Sequence, residues 1–168
     1  LSSATQQAER MRQLIEDILD LSRLERDKAD LTLALVDLNA VLEKAVVAQQ
    51  PRAETAGLRL TFEPAATLPP VRGDIHRLLQ VATNLITNAI NYTPTGEVHI
   101  RAFHAANRVG FEVKDTGMGI APEDQPHLFE RFYRGQRASQ SNVRGTGLGL
   151  NIVKEIADWH GGEVEVQS

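Results

Sequence analysis

Hydrophobic residues near the start of the chain recur at three- and four-residue intervals. Met11, Leu14, Ile18, Leu21 and Leu24 form one stripe, which Ile15 and Leu19 widen, the spacing of a helix with a single apolar face. The pattern predicts a helix over about 3–27, about 37 Å long at 1.5 Å per residue. That is long for a surface helix of a small domain, and it precedes the rest of the chain instead of being interleaved with it. The reading is one half of a helical hairpin or dimerisation bundle, the alternative being a helix packed on its own core. A polar hinge, Glu25-Arg26-Asp27-Lys28-Ala29-Asp30, separates this helix from the remaining elements.

Beyond the hinge the period changes. Residues 31–36 read as a strand, and 39–56 as a helix stopped by Gly57. Residues 58–62 alternate as a half-buried strand, followed by a loop marked by Pro64, Pro69 and Pro70. Asp74 can cap a helix running to about residue 91, with Leu78, Leu79, Ala82, Leu85, Ile86 and Ala89 on its apolar face. Thr93-Pro94-Thr95-Gly96 turns into two alternating strands, 97–104 and 108–114. A last helix spans 148–159, and Gly161-Gly162 leads into the alternating Glu163-Val164-Glu165-Val166. Helices on one face of a mixed or antiparallel sheet make the fold class α+β.

Composition narrows the function classes. The 168 residues carry 18 basic and 22 acidic side chains, interspersed, which argues against a general nucleic-acid surface. With no cysteine, neither a disulfide scaffold nor a thiolate metal site is possible. No apolar run approaches the roughly 20 residues that cross a bilayer. The start has no signal-peptide pattern and no initiator methionine. The expectation is a piece of a larger protein, with any membrane anchor outside it.

Three segments carry chemistry. Asn84 and Asn88 lie four apart on a helix, so their amides share a face and can ligate or orient Mg²⁺, a hard ion that takes oxygen ligands. The plainer meaning is two polar residues on an exposed face. Asp115 ends a strand and opens Asp115-Thr116-Gly117-Met118-Gly119. A carboxylate there can accept the exocyclic amino group of adenine while the glycines turn the backbone beside the base; an ordinary turn reads the same way. Gly145-Thr146-Gly147-Leu148-Gly149 opens the last helix and offers backbone N–H groups to an anion, unless it is only a flexible loop. It is neither a Walker A loop nor a Rossmann fingerprint. Between the last two, a polar run over 136–144 reads as a lid, with Arg134, Arg137 and Arg144 placed to meet phosphates and Phe129 and Phe132 fastening its base; an ordinary helix end and a disordered loop explain the composition as well.

Taken in order, the chain resembles the catalytic ATP-binding domain of two-component sensor histidine kinases. Asn84-Leu85-Ile86-Thr87-Asn88-Ala89-Ile90-Asn91-Tyr92-Thr93 is similar to that family's N box, and the segment at Asp115 to its first glycine box. Phe129-Glu130-Arg131-Phe132 is similar to its F box, Gly145 through Leu150 to its second glycine box, and His160-Gly161-Gly162 to the stretch before its closing strands. The opening helix, with Leu21-Ser22-Arg23-Leu24-Glu25, resembles the second helix of the dimerisation hairpin.

The resemblance implies the two-layer α/β sandwich of the gyrase/Hsp90/histidine-kinase ATPase type over 28–168, with 1–27 as a partial hairpin. It implies ATP and Mg²⁺ as cofactors, with Asn88 as the metal ligand and Asn84 assisting. Asp115 would hold the base, beside Gly117, Gly119 and Ile120, with Tyr92 near the nucleotide. Phe132, Arg134, Arg144, Gly145, Thr146, Gly147, Leu148, Gly149 and Leu150 would line the rest, and Asn84, Asn88 and Arg134 would serve catalysis. At Asn91 the family usually has Lys or Arg, a cation for phosphate. The implied partners are a second copy, joined through the hairpin helices, and a response-regulator receiver domain. The implied place is the cytoplasm, with membrane contact only through other segments.

None of the five histidines, His76, His99, His104, His127 and His160, has the sequence context of the family's phosphoacceptor or lies on the opening helix. The expected acceptor is therefore elsewhere. Asparagine at 84, where the family's ATPase relatives have glutamate, cannot take a proton from water, which favours a kinase over an ATPase. Two alternatives stay open: a serine-kinase anti-sigma factor of the same fold, and a nucleotide-binding regulatory domain without transfer.

Overall fold

In the computed structural model the described residues are 31–135 and 146–168, together with Ala8, Met11, Arg12, Ile15 and Leu19 of the opening segment. Those five are helical and exposed. The remainder of the expected opening helix lies outside the described residues, as do the lid residues Arg137 and Arg144 and the first loop glycine, Gly145.

The elements follow the sequence pattern closely. They are β1 (Ala34–Val36), α1 (Leu38–Thr55), β2 (Arg59–Glu63), β3 (Val71–Gly73), α2 (Ile75–Tyr92), β4 (Glu97–Ala105), β5 (Arg108–Asp115), a 3₁₀ turn (Gln125–His127) and α3 (Gly149–Trp159). Gly57, at φ +70°, stops α1. Leu58 N–H bonds to the Ala53 carbonyl and Gly57 N–H to that of Glu54, so a Schellman cap turns the chain straight into β2. Asp74 caps α2 as expected, its carboxylate accepting the N–H groups of His76 and Arg77.

The main sheet has the order β2-β4-β5 and is mixed. β2 pairs parallel with β4, Arg59 opposite Glu97, because α2 lies in the connection between them. β4 and β5 form an antiparallel hairpin, and β1 and β3 a separate two-stranded ribbon. β3 is too short to alternate, so no periodicity announced it. α1 and α2 lie together against the sheet around the buried Leu42, Ile86 and Ile100. α3 packs on α2 through a second cluster of Val81, Leu148, Ile152, Val153 and Ile156.

Residues 163–166 form no strand. Their alternation survives, with Val164 and Val166 half-buried and Glu163 and Glu165 exposed, but no ladder joins them to β5. Side-chain contacts hold them instead: Val164 lies against the second cluster, and Glu163 pairs with Arg108 at 2.8 Å. Alternation records burial on one face, whereas a strand also needs a backbone partner in register.

Candidate functional site

α2 is the spine of the site. Asn84, Asn88 and Asn91 recur along one of its faces, and all three line a single cleft. The Asn84 side-chain amide donates to the Gly149 carbonyl at 3.4 Å, which assigns its nitrogen and leaves Oδ1 as an acceptor. Asn88 is half-buried against Gly149; a Cβ there would sit 3.7 Å from Asn88 Nδ2. Its amide forms no hydrogen bond to any described residue, so its oxygen is open to an outside group. A small oxygen-seeking cation suits this pair.

The C-terminal end of α2 is locked to the turn after β5. The Tyr92 carbonyl accepts the Met118 N–H at 3.1 Å. A Cβ on Gly117 would fall 2.3 Å from that same carbonyl oxygen, so only glycine fits. Asp115 Oδ1 accepts the Gly117 N–H at 2.8 Å, which fixes the carboxylate and leaves Oδ2 for a donor. Gly119 has φ +67°, and the Ile120 N–H is taken by Ser168 Oγ at 2.7 Å. The carboxylate is exposed at the mouth of the cleft.

Across the cleft lies the second glycine loop. Gly147 has φ +76°, and a Cβ there would meet the backbone of Phe132 at 2.7 Å and of Tyr133 at 2.8 Å. The Phe132 N–H bonds to the Gly147 carbonyl, so the loop and the lid base form one unit. Thr146 Oγ1 accepts the Leu148 N–H at 3.4 Å.

Phe132 is not an anchor in the core, contrary to expectation. Phe132 stands 57% exposed at φ +63°, its ring outside both core clusters. The anchor is the next residue: the Tyr133 hydroxyl donates to Oδ1 of the buried Asp124 at 2.7 Å. That bond, together with the nearby negative charge, holds the phenol's pKa above its ordinary value. The backbone geometry that docks Phe132 on Gly147 turns its side chain outward. Phe129, by contrast, is half-buried, and its carbonyl accepts from Asn151 Nδ2.

Of the residues picked from sequence, Asn84, Asn88, Asn91, Tyr92, Asp115, Gly117, Gly119, Ile120, Arg134, Thr146, Gly147, Gly149 and Leu150 line this one cleft. Phe132 and Leu148 do not; Leu148 is fully buried in the second cluster. Arg144 and Gly145 lie outside the described residues. The cleft encloses about 2260 Å³, more than the roughly 300–1,000 Å³ of a usual ligand pocket. The cavity also runs along β5 beside residues 161–168 and reaches Leu38, Val71, Arg72 and Leu78. Two contributors had no sequence signal: Arg52, arriving from α1, and the Asp124–Tyr133 pair.

The histidines are held in structural contacts or exposed, and His160 also borders the cleft. His160 Nε2 accepts the Asp74 N–H at 3.0 Å and its Nδ1 lies 2.7 Å from the Ile156 carbonyl, a tie between α3 and the start of α2. His99 lies between Thr61 and Glu63, and His127 beside Glu130. His76 and His104 are exposed.

Comparison with known proteins agrees with this architecture. Residues 73–168 match the family described as histidine kinase-, DNA gyrase B- and HSP90-like ATPase. Drug sensory protein A of a Synechocystis strain is 38% identical across the whole chain, which spans 27% of that protein's length. Among solved structures, the histidine kinase AdeS of Acinetobacter baumannii superposes with TM-score 0.70 at 33% identity, covering 94% of this chain and 71% of that one. Full-length ShkA, solved in complex with AMPPNP, superposes with TM-score 0.76 at 33% identity, covering 89% of this chain and 31% of that one. With its asparagine-bearing helix and two glycine turns around one cleft, the chain belongs to the histidine kinase-, DNA gyrase B- and HSP90-like ATPase family, as an ATP-binding catalytic domain of the sensor histidine kinase type.

Proposed function

We propose that this chain binds Mg-ATP and donates the γ-phosphoryl group to a histidine that none of its own five histidines supplies. The observation that carries the reading is the meeting of Asn84, Asn88, Asp115 and the Gly147 loop in one cleft from distant parts of the chain. Asp115 Oδ2 would accept the adenine amino group. Asn88 would hold Mg²⁺ through its amide oxygen, with Asn84 Oδ1 beside it. Held there, Mg²⁺ would supply neutralisation of the charge that develops on the phosphates. The backbone at Gly147 and Gly149, with Arg134, would surround the phosphates.

A neutral imidazole nitrogen attacks the γ-phosphorus; the P–N bond forms as the bond to the bridging oxygen breaks, and ADP leaves. Asn84 cannot accept a proton from water, so the site favours positioning over hydrolysis. In the intact protein we assign 1–27 to the second hairpin helix and 28–168 to the catalytic domain. The exposed Met11, Ile15 and Leu19, four apart, suit a helix that pairs with a second copy. The phosphoryl group would pass on to an aspartate of a response-regulator receiver domain, on the cytoplasmic side of the membrane. No described helix is long and apolar enough to cross a bilayer.

The test is transfer of label from γ-phosphate-labelled ATP to a separately supplied acceptor hairpin. Acid-labile, base-stable label on the hairpin is expected; label released only as free phosphate would refute the kinase reading. Asp115→Asn keeps an oxygen for the Gly117 N–H but loses the carboxylate. It should weaken ATP about ten- to a hundredfold, the worth of a hydrogen bond to a charged group.

A further inference from the structure

The last turn of α1 brings a cation to the asparagine face of α2. Arg52 Nη2 donates to Asn91 Oδ1 at 2.8 Å. Its backbone is fixed from both sides: the adjacent Ala53 is fully buried, and the Schellman stop at Gly57 ends the helix one turn later. Asn91 lies one turn beyond Asn88 on the same face. Arg52, Asn88, Asn91 and Tyr92 all line the cleft.

Arg59, Arg101, Arg108 and Arg131 each pair with a glutamate, whereas Arg52, like Arg77 on Gln80 Oε1 at 3.1 Å, donates to a side-chain amide, and Arg52 does so across two helices. Among the described residues no carboxylate lies within ion-pairing distance of Arg52, which is held by a neutral amide. An amide oxygen takes one of the five guanidinium N–H donors and leaves the full charge. Asn91 also sits in the last turn of α2, where the helix dipole favours a cation. A positive group oriented but not neutralised, one helical turn beyond Asn88, fits an anionic ligand.

We propose that Arg52 supplies the positive charge that meets the phosphate chain of the nucleotide, and that Asn91 is its positioning residue. This rests on the ATP reading of the same cleft. The charge comes from α1, and position 91 has the role of holding it.

Equilibrium binding of ATP and of adenosine to the 168-residue chain and its variants tests this. Arg52→Ala should weaken ATP about tenfold and leave adenosine and the melting temperature unchanged. Arg52→Lys should recover part of the loss, since charge returns without the planar fork. Asn91→Ala should cost less than Arg52→Ala and add nothing to it, because the two act as one unit. Asn91→Lys placed in the Arg52→Ala background should restore ATP affinity. Equal ATP affinity for Arg52→Ala and the parent would overturn the proposal, as would equal losses for ATP and adenosine. A parent chain that binds adenosine and ATP alike, or neither, would instead strike the ATP reading on which the proposal stands.

Discussion

At its N-terminal end α2 starts inside a closed network. The Asp74 carboxylate, in a residue only 8% exposed, receives N–H groups from His76, Arg77 and Thr32, while the Asp74 N–H goes to His160 at the end of α3. At its C-terminal end the same helix presents Asn88 with no hydrogen-bond partner among the described residues, and Asn91 occupied only by Arg52. The first end has its capping groups satisfied by the protein itself. The second has amides in a cleft that the protein leaves for something else. Buried polar groups are paired as a rule, so the contrast within one helix separates a group that stabilises the fold from groups proposed to meet a ligand.

Substitutions at the two ends should therefore fail differently. The largest effect is expected at the joint where the C-terminal end meets the turn after β5. Gly117→Ala pushes a methyl group onto the Tyr92 carbonyl, a backbone atom that cannot swing away. Overpacking of this kind costs about 3 kcal/mol, so thermal unfolding should drop and ATP binding should disappear together. A variant with wild-type melting temperature and affinity would show that this joint is soft.

Asn88→Ala is the opposite case. Stability should stay within about 0.5 kcal/mol, while the part of ATP affinity that depends on Mg²⁺ is lost. Titration with and without EDTA reads it directly, and an unchanged metal dependence would remove Asn88 from the metal site. Asp74→Ala is the mirror image: it should lower unfolding stability by about 1–2 kcal/mol, the usual worth of a helix cap, with ATP affinity per folded molecule unchanged.

The cap also predicts a pH dependence. Burial pushes the Asp74 pKa up, but hydrogen bonds from Arg77, Thr32 and His76 outweigh it and leave it below the ordinary 3.8. The folded state then holds this proton less tightly than the unfolded chain. The stabilisation is complete above the ordinary carboxylate value and is lost as pH falls below it through the depressed folded value. Denaturant titrations of wild type and Asp74→Asn from near-neutral to strongly acid pH should converge at the acid end. Parallel curves would contradict this. The smallest effect is expected at Phe132, whose exposed side chain predicts a change below about 0.5 kcal/mol on Phe132→Ala. Tyr133→Phe should cost more, because it takes the phenol from Asp124. The reverse order would return the fastening role to Phe132.

Much of this molecule is legible in its sequence because its elements announce themselves locally. The 3.6-residue period of α2, its Asp74 cap and the Gly57 stop of α1 act within a few residues, and their observed ends fall within one or two positions of those expected. The site residues are legible for a related reason: asparagines on an apolar helix and glycines at alternate positions are costly choices unless something uses them. Where the sequence misleads, the deciding contact is between segments far apart. The aromatic ring of Phe132 suggests a core anchor, yet its exposure is set by docking on Gly147, 15 residues later. The alternation at 163–166 correctly indicates burial but cannot supply a ladder partner.

The sequence by itself determined the described helices α1 to α3, the hairpin of β4 and β5, the capping of α2 and the set of polar and glycine residues proposed to carry the chemistry, since each follows from periodicity or from backbone preferences of single residues. Only the tertiary structure decided that β2 lies parallel to β4, that Tyr133 and not Phe132 anchors the segment ending at Gly135, and that Arg52, 39 residues before Asn91, stands beside it. Those outcomes depend on which distant surfaces meet when the core closes, and no local pattern encodes that meeting.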